Sequence, residues 1–144
     1  MARTTARAAV MQMIFENLAG GEGGEETLAM VYEALRHEGI PGVEIADNEP
    51  NKSDKAYIAR VLDGVLNNLD ELDAEIAAAS RGWTIQRMPK VDLTILRLAI
   101  YELNYTDLSS AIVVNEALEL ARSYSTPEAV TFVNGVLGSL LRSK

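Results

Sequence analysis

Cysteine is absent from the 144-residue chain, and histidine occurs once, at position 37. The first absence rules out disulfides, zinc–thiolate sites and thiol nucleophiles. The second leaves no imidazole pair for a metal. His37 itself stands near Gly39 at the end of an expected helix, where a solvated surface side chain is the simpler reading than a catalytic base. No HExxH, phosphate-binding glycine loop or GxSxG occurs. Apolar runs are short: none approaches the ~20 residues of a membrane span, and "MARTTARAAVMQMIF" lacks the apolar core and small-residue cleavage site of a secretory signal. The expectation is a soluble, unprocessed cytoplasmic protein that is not an enzyme, with no cofactor, metal or membrane contact.

Positive charge is also scarce. The net charge of −8 argues against a nucleic-acid binder, because phosphate contacts are made by Lys and Arg. Its distribution weakens that argument. Residues 1–15 hold Arg3 and Arg7 and no acid, residues 16–50 carry most of the acidic excess with Arg36 alone against it, and the rest is nearly balanced.

What is present is helical periodicity. Thr4 or Thr5 can cap a first helix with Val10, Met11, Ile14, Phe15 and Leu18 at three- and four-residue spacing, ending at "AGGEGG". A second is expected from Glu25 to about His37. Residues 39–52, with two prolines and two glycines, form the one long linker and divide a single domain, 1–144, into helical subdomains of about 1–50 and 53–144. Ser53 or Asp54 opens a long helix whose apolar positions run from Ile58 to Ile76; "SRGW" breaks it, and Pro89 suits the first position of the next. "KVDLTILRLAIYELNY" is apolar nearly all round, the mark of a helix at the centre of a bundle. Two more follow, from Ser109 or Ser110 to about Tyr124 and from Thr126 to about Arg142. In the last, Asn134-Gly135 resembles a hairpin signal, but Val130, Val133, Val136, Leu137, Leu140 and Leu141 keep helical spacing. Gly135 then sits in a helix interior at a cost of about 1 kcal/mol relative to alanine and needs a reason.

Few chemical groups converge. The acid pairs Asp70/Asp73 and Glu116/Glu119 have a spacing some metal sites use, but without histidine they read as solvated helix faces. Arg3 and Arg7, one turn apart, can straddle phosphates or simply open a helix. Arg81, Arg87, Lys90 and Arg97 make a second basic cluster around residue 90. Phe132, off the main apolar stripe and near Asn134, can stack on an unpaired base or fill the core.

Three ordered stretches, "ILRLAIYEL" (95–103), "VVNEALELARSY" (113–124) and "FVNGVL" (132–137), together with "YIARVLDGVLNNLDELDAEI" and "RTTARAAVMQMIF", resemble the NusB family of bacterial transcription antitermination factors over nearly the whole chain. The resemblance implies an all-α fold of about seven helices in two packed bundles and no catalysis. It implies pairing with NusE, a small-subunit ribosomal protein, and binding of boxA RNA of nascent ribosomal RNA transcripts within an RNA polymerase antitermination complex. By position it assigns RNA contact to Arg3, Arg7, Phe132 and Asn134, and NusE contact to Phe15 and Asp92. Glu128 matches an acidic position ahead of the Phe-Val-Asn-Gly motif. The chain departs from the family at Thr4 and Thr5, where arginines are frequent, at Ala8 for glutamate, Ser109 for proline and Gly138 for aspartate. Two alternatives keep the fold: a homodimer that buries the RNA face, and the NusB-like domain of a ribosomal RNA methyltransferase of which this is a fragment.

Overall fold

Side-chain caps open three of the described helices, and backbone geometry alone opens the others. The computed structural model describes residues 2–18 and 50–143. The first helix, α1 (Arg3–Leu18), starts earlier than its threonines suggest: the Ala6 N–H donates to the Ala2 carbonyl at 3.1 Å, so Thr4 and Thr5 lie inside the first turn. Alanines at 6, 8 and 9 favour the helix and, being small, let residues Thr5 to Met11 be buried on every side. The helix α2 (Lys52–Asn67) is opened by neither Ser53 nor Asp54 but by Asn51. The Asp54 N–H donates to Asn51 Oδ1 and the Asn51 N–H to Asp54 Oδ2, both at 2.9 Å. This reciprocal pair satisfies two amide groups that the helix itself leaves unpaired.

The long helix expected through Ile76 is two helices. Asn67 and Asn68 are adjacent residues whose amides compete with the backbone for hydrogen bonds. At Asn68 the chain leaves helical geometry (φ −125°, ψ 22°), and α3 (Leu69–Ala79) restarts with the Leu72 N–H on the Asn68 carbonyl at 2.9 Å. Two compact units, 1–66 and 67–144, meet at this break. Tyr57 of α2 lies under Arg3 and Arg7 of α1, which places α2 with α1. The helix expected over 25–37 and most of the linker fall outside the described residues.

In the second unit, Gly82 (φ +81°) turns the chain after α3 through a left-handed conformation that residues with a Cβ rarely adopt. A 3-10 turn (Ile85–Arg87) leads to α4 (Lys90–Tyr105). Pro89 precedes that helix in an extended conformation (φ −55°, ψ 136°), one position earlier than expected, and its carbonyl accepts the Leu93 N–H. Ser109 caps α5 (Ser110–Tyr124) by accepting from the Ile112 N–H, and Thr126 caps α6 (Pro127–Arg142) by accepting from the Ala129 N–H, with Pro127 at the first position. All regular structure among the described residues is helical. The helix α4 is buried from Asp92 to Glu102 except at Arg97, and α3, α5 and α6 all pack against it. The helix α6 buries Ala129, Val133, Val136, Leu137 and Leu140 in the core shared with α3, α4 and α5, and runs unbroken through Asn134 and Gly135.

Polar groups lace the seam between α3 and α4. Arg97 donates from Nε and Nη2 to both oxygens of Asp73, each at 2.7 Å; Asn104 reaches Glu75, and the Tyr105 hydroxyl meets Glu71. The Asp70/Asp73 and Glu116/Glu119 pairs therefore serve structure in part, since Glu119 accepts from Arg122. The Glu71 carboxylate at the hydroxyl holds the Tyr105 phenol above its usual range.

Two stability predictions follow from these pairs. Arg97→Ala strands the half-buried Asp73 and costs about 2 kcal/mol in urea unfolding, whereas Arg122→Ala, in an exposed pair, changes stability by about 0.5 kcal/mol or less. Equal effects would contradict the assignment. Burial pushes the Asp54 carboxyl up, but the Asn51 N–H and then nearby positive charge, Arg3 contributing least, outweigh it and hold it below the ordinary 3.8. Its contribution is complete above that value and is lost as pH falls through the lowered one. The stability gap between the protein and Asp54→Ala, measured by thermal unfolding, is expected to be constant near neutrality and to close in acid.

Candidate nucleic-acid interface

In the first unit the two arginines part company. Arg3 is exposed, with its guanidinium 4.2 Å from the centroid of the Tyr57 ring. Arg7 is 3% exposed and lies 5.9 Å from the same ring, and Tyr57 itself is buried. The small side chains that open α1 let the backbone sink so far that only the first arginine remains at the surface. Phe15, further along α1, is half-buried.

In the second unit α6 carries Phe132 half-buried, with Asn134 and Gly135 exposed. The ring of Phe132 meets Trp83, 52% exposed, edge to face: centroids are 5.4 Å apart and the planes inclined at 60°. These two rings border a cleft of about 210 Å3 together with Pro89, Asp92, Thr126, Glu128 and Ala129. Asp92 is 4% exposed and accepts a hydrogen bond from Ser125 Oγ at 2.6 Å. That bond ties the start of α4, where a carboxylate suits the helix's positive end, to the turn between α5 and α6. Phe132 and Asp92, read separately as an RNA contact and a protein contact, thus wall one cleft, with exposed Glu128 at its edge.

The basic cluster around residue 90 is not one patch. Arg97 is held by Asp73, while Arg87 and Lys90 are exposed beside Pro89. Arg81 faces a different groove, of about 540 Å3, with Ala79, Gly135, Ser139, Arg142 and Ser143. Sequence reasoning missed Trp83, Tyr57 and Arg142. Trp83 lies in an irregular turn that periodicity cannot read, although a lone tryptophan among arginines was a usable signal. Tyr57 and Arg142 sit at ordinary helical positions, and only the folded chain sets them against Arg3 and Arg81. No cluster of three or more metal-ligating side chains occurs among the described residues, and none of their helices is long and apolar enough to cross a membrane.

The described residues form an all-helical fold that carries an aromatic cleft and a separate basic groove. The NusB family model matches residues 4–142. The transcription antitermination protein NusB of Clostridium botulinum strain Hall is 36% identical over 143 residues, covering 98% of this chain and 100% of that protein. T. maritima NusB matches with a TM-score of 0.77 at 25% identity, over 99% of this chain and 92% of that one. A chain in the crystal structure of antitermination factors NusB and NusE in complex with dsRNA shares the fold, with a TM-score of 0.78 at 24% identity over 99% and 97%. The chain belongs to the NusB family.

The different settings of the two arginines lead to losses of different size. Arg7→Ala removes a buried stem and a ring contact and is expected to cost more than about 1 kcal/mol. Arg3→Ala is expected to cost about 0.5 kcal/mol, the scale of an exposed cation–π contact. Thermal unfolding of the two variants checks this, and a larger loss for Arg3→Ala would reverse the assignment.

Proposed function

We propose that the protein is an RNA-binding transcription antitermination factor that pairs with NusE and, with it, holds boxA RNA of nascent ribosomal RNA transcripts in an RNA polymerase antitermination complex. The observation that carries the RNA reading is Phe132 at the surface of α6, set against the exposed Trp83 and two residues from the exposed Asn134. Stacking on such rings contributes about 1–3 kcal/mol per base, and an adjacent amide can address a base edge. Arg3 is the N-terminal arginine able to meet a phosphate without unpacking; Arg7 acts by holding the start of α1 over Tyr57. Phe15 and the Asp92 cleft are the surfaces assigned to NusE.

With a net charge of −8, the chain alone binds RNA weakly, and NusE supplies the rest of the surface. Trp83 is the only tryptophan, so its fluorescence reports on the cleft directly. Titration with a single-stranded boxA oligonucleotide is expected to quench it, with affinity rising about tenfold or more when NusE is added, a gain of 1.4 kcal/mol. Phe132→Ala is expected to lose a similar factor. No gain from NusE, or full affinity in Phe132→Ala, would overturn the reading.

A further inference from the structure

The groove lined by Arg81, Gly135, Ser139 and Arg142 lies outside the cleft assigned above. We propose that it seats a backbone phosphate of the same bound RNA, an inference that rests on the RNA-binding reading. Phe132, Gly135, Ser139 and Arg142 follow one another at three, four and three residues, so they form a single stripe along one face of α6, opposite in character to the Val133–Val136–Leu140 stripe that enters the core. From Phe132 to Ser139 the helix rises about 10 Å, which keeps the groove within reach of a neighbouring nucleotide when a base stacks on Phe132.

Charge and shape along this stripe fit a phosphate. No acidic residue lines the groove, and neither Arg81 nor Arg142 has a carboxylate partner among the described residues, whereas Arg97 and Arg122 both do. The ends of α3 and α6 each contribute a partial negative charge of about half a unit, so two full guanidinium charges leave the groove net positive. The Arg142 guanidinium rests over Gly138, its Nη1 3.2 Å from where a Cβ at that position would be. Gly135 is the other bare position: it is exposed, and a Cβ there would meet nothing within 4 Å among the described residues. Packing in the free protein does not require this glycine. An approaching backbone does, because Gly135 leaves the groove floor as main chain flanked by the Ser139 hydroxyl.

The rival account is that both arginines merely offset the negative ends of two helices. Affinity for the boxA oligonucleotide, with NusE present, separates the two when measured across a salt series for the protein, Arg81→Ala, Arg142→Ala, Gly135→Ala and Phe132→Ala. Each arginine variant is expected to weaken binding about five- to tenfold and to reduce the salt slope by about 0.7, the value for one lost contact to a single strand. Gly135→Ala is expected to raise the melting temperature of the free protein while weakening RNA binding, a pairing that a purely structural glycine would not give. Loss of affinity in Phe132→Ala with unchanged affinity and slope in both arginine variants overturns the phosphate seat and leaves the RNA reading standing. No binding by the unsubstituted protein overturns both.

Discussion

Burial of α4 on nearly every side is the constraint from which the second unit follows. From Asp92 to Glu102 only Arg97 escapes full burial, and it is held by both oxygens of Asp73. A helix buried on nearly every side needs neighbours that each turn an apolar stripe inward. For α6 that stripe is Val133, Val136, Leu137 and Leu140, and its burial among α3, α4 and α5 fixes which residues are left outside. Phe132, Asn134, Gly135 and Arg142 are therefore presented by the core, as the reverse side of a packing surface. The Asp92–Ser125 hydrogen bond adds a second restraint at the start of α6, close to the aromatic cleft. A rigid presentation of this kind lowers the ordering cost of binding.

Much of this was legible in the sequence where the signal is local. Helical spacing resolved the Asn134-Gly135 ambiguity correctly, the caps at Ser109 and Thr126 sit where polar side chains precede apolar runs, and the three quoted motifs fall on helices of the NusB fold. The misses have two physical origins. Some are competitions between adjacent polar residues, as at Asn51 against Ser53 and Asp54, or at Asn67-Asn68, where two weak helix formers interrupt a continuous apolar period. The others are pairings between distant parts of the chain. Arg97 looked like a member of a basic cluster because its charged neighbours in sequence are basic, yet its partner is 24 residues away on α3. Arg81 and Arg142, unrelated in sequence, line one groove.

Arg7 illustrates the same limit at a single position. Its spacing from Arg3 is one turn, and spacing alone makes the two equivalent. The alanines around them decide otherwise, since a helix of small side chains can be surrounded closely enough to bury even an arginine stem. Two residues that match one motif by position thus differ in the fold, one exposed and one buried.

The aromatic pair and the basic groove have one further property in common. Each joins the turn after α3, the first helix of its unit, to α6, the last: Trp83 to Phe132, and Arg81 to Gly135 and Arg142. The helices α4, α5 and α6 pack on their sequence neighbours, contacts that form early because little chain must be closed. The α3–α6 contact closes the largest loop among the helix pairs of this unit. The aromatic cleft and the basic groove are therefore complete only once α3 and α6 have met. RNA that binds there adds its binding free energy to the fold, so the transcript acts as a folding ligand for the protein that holds it.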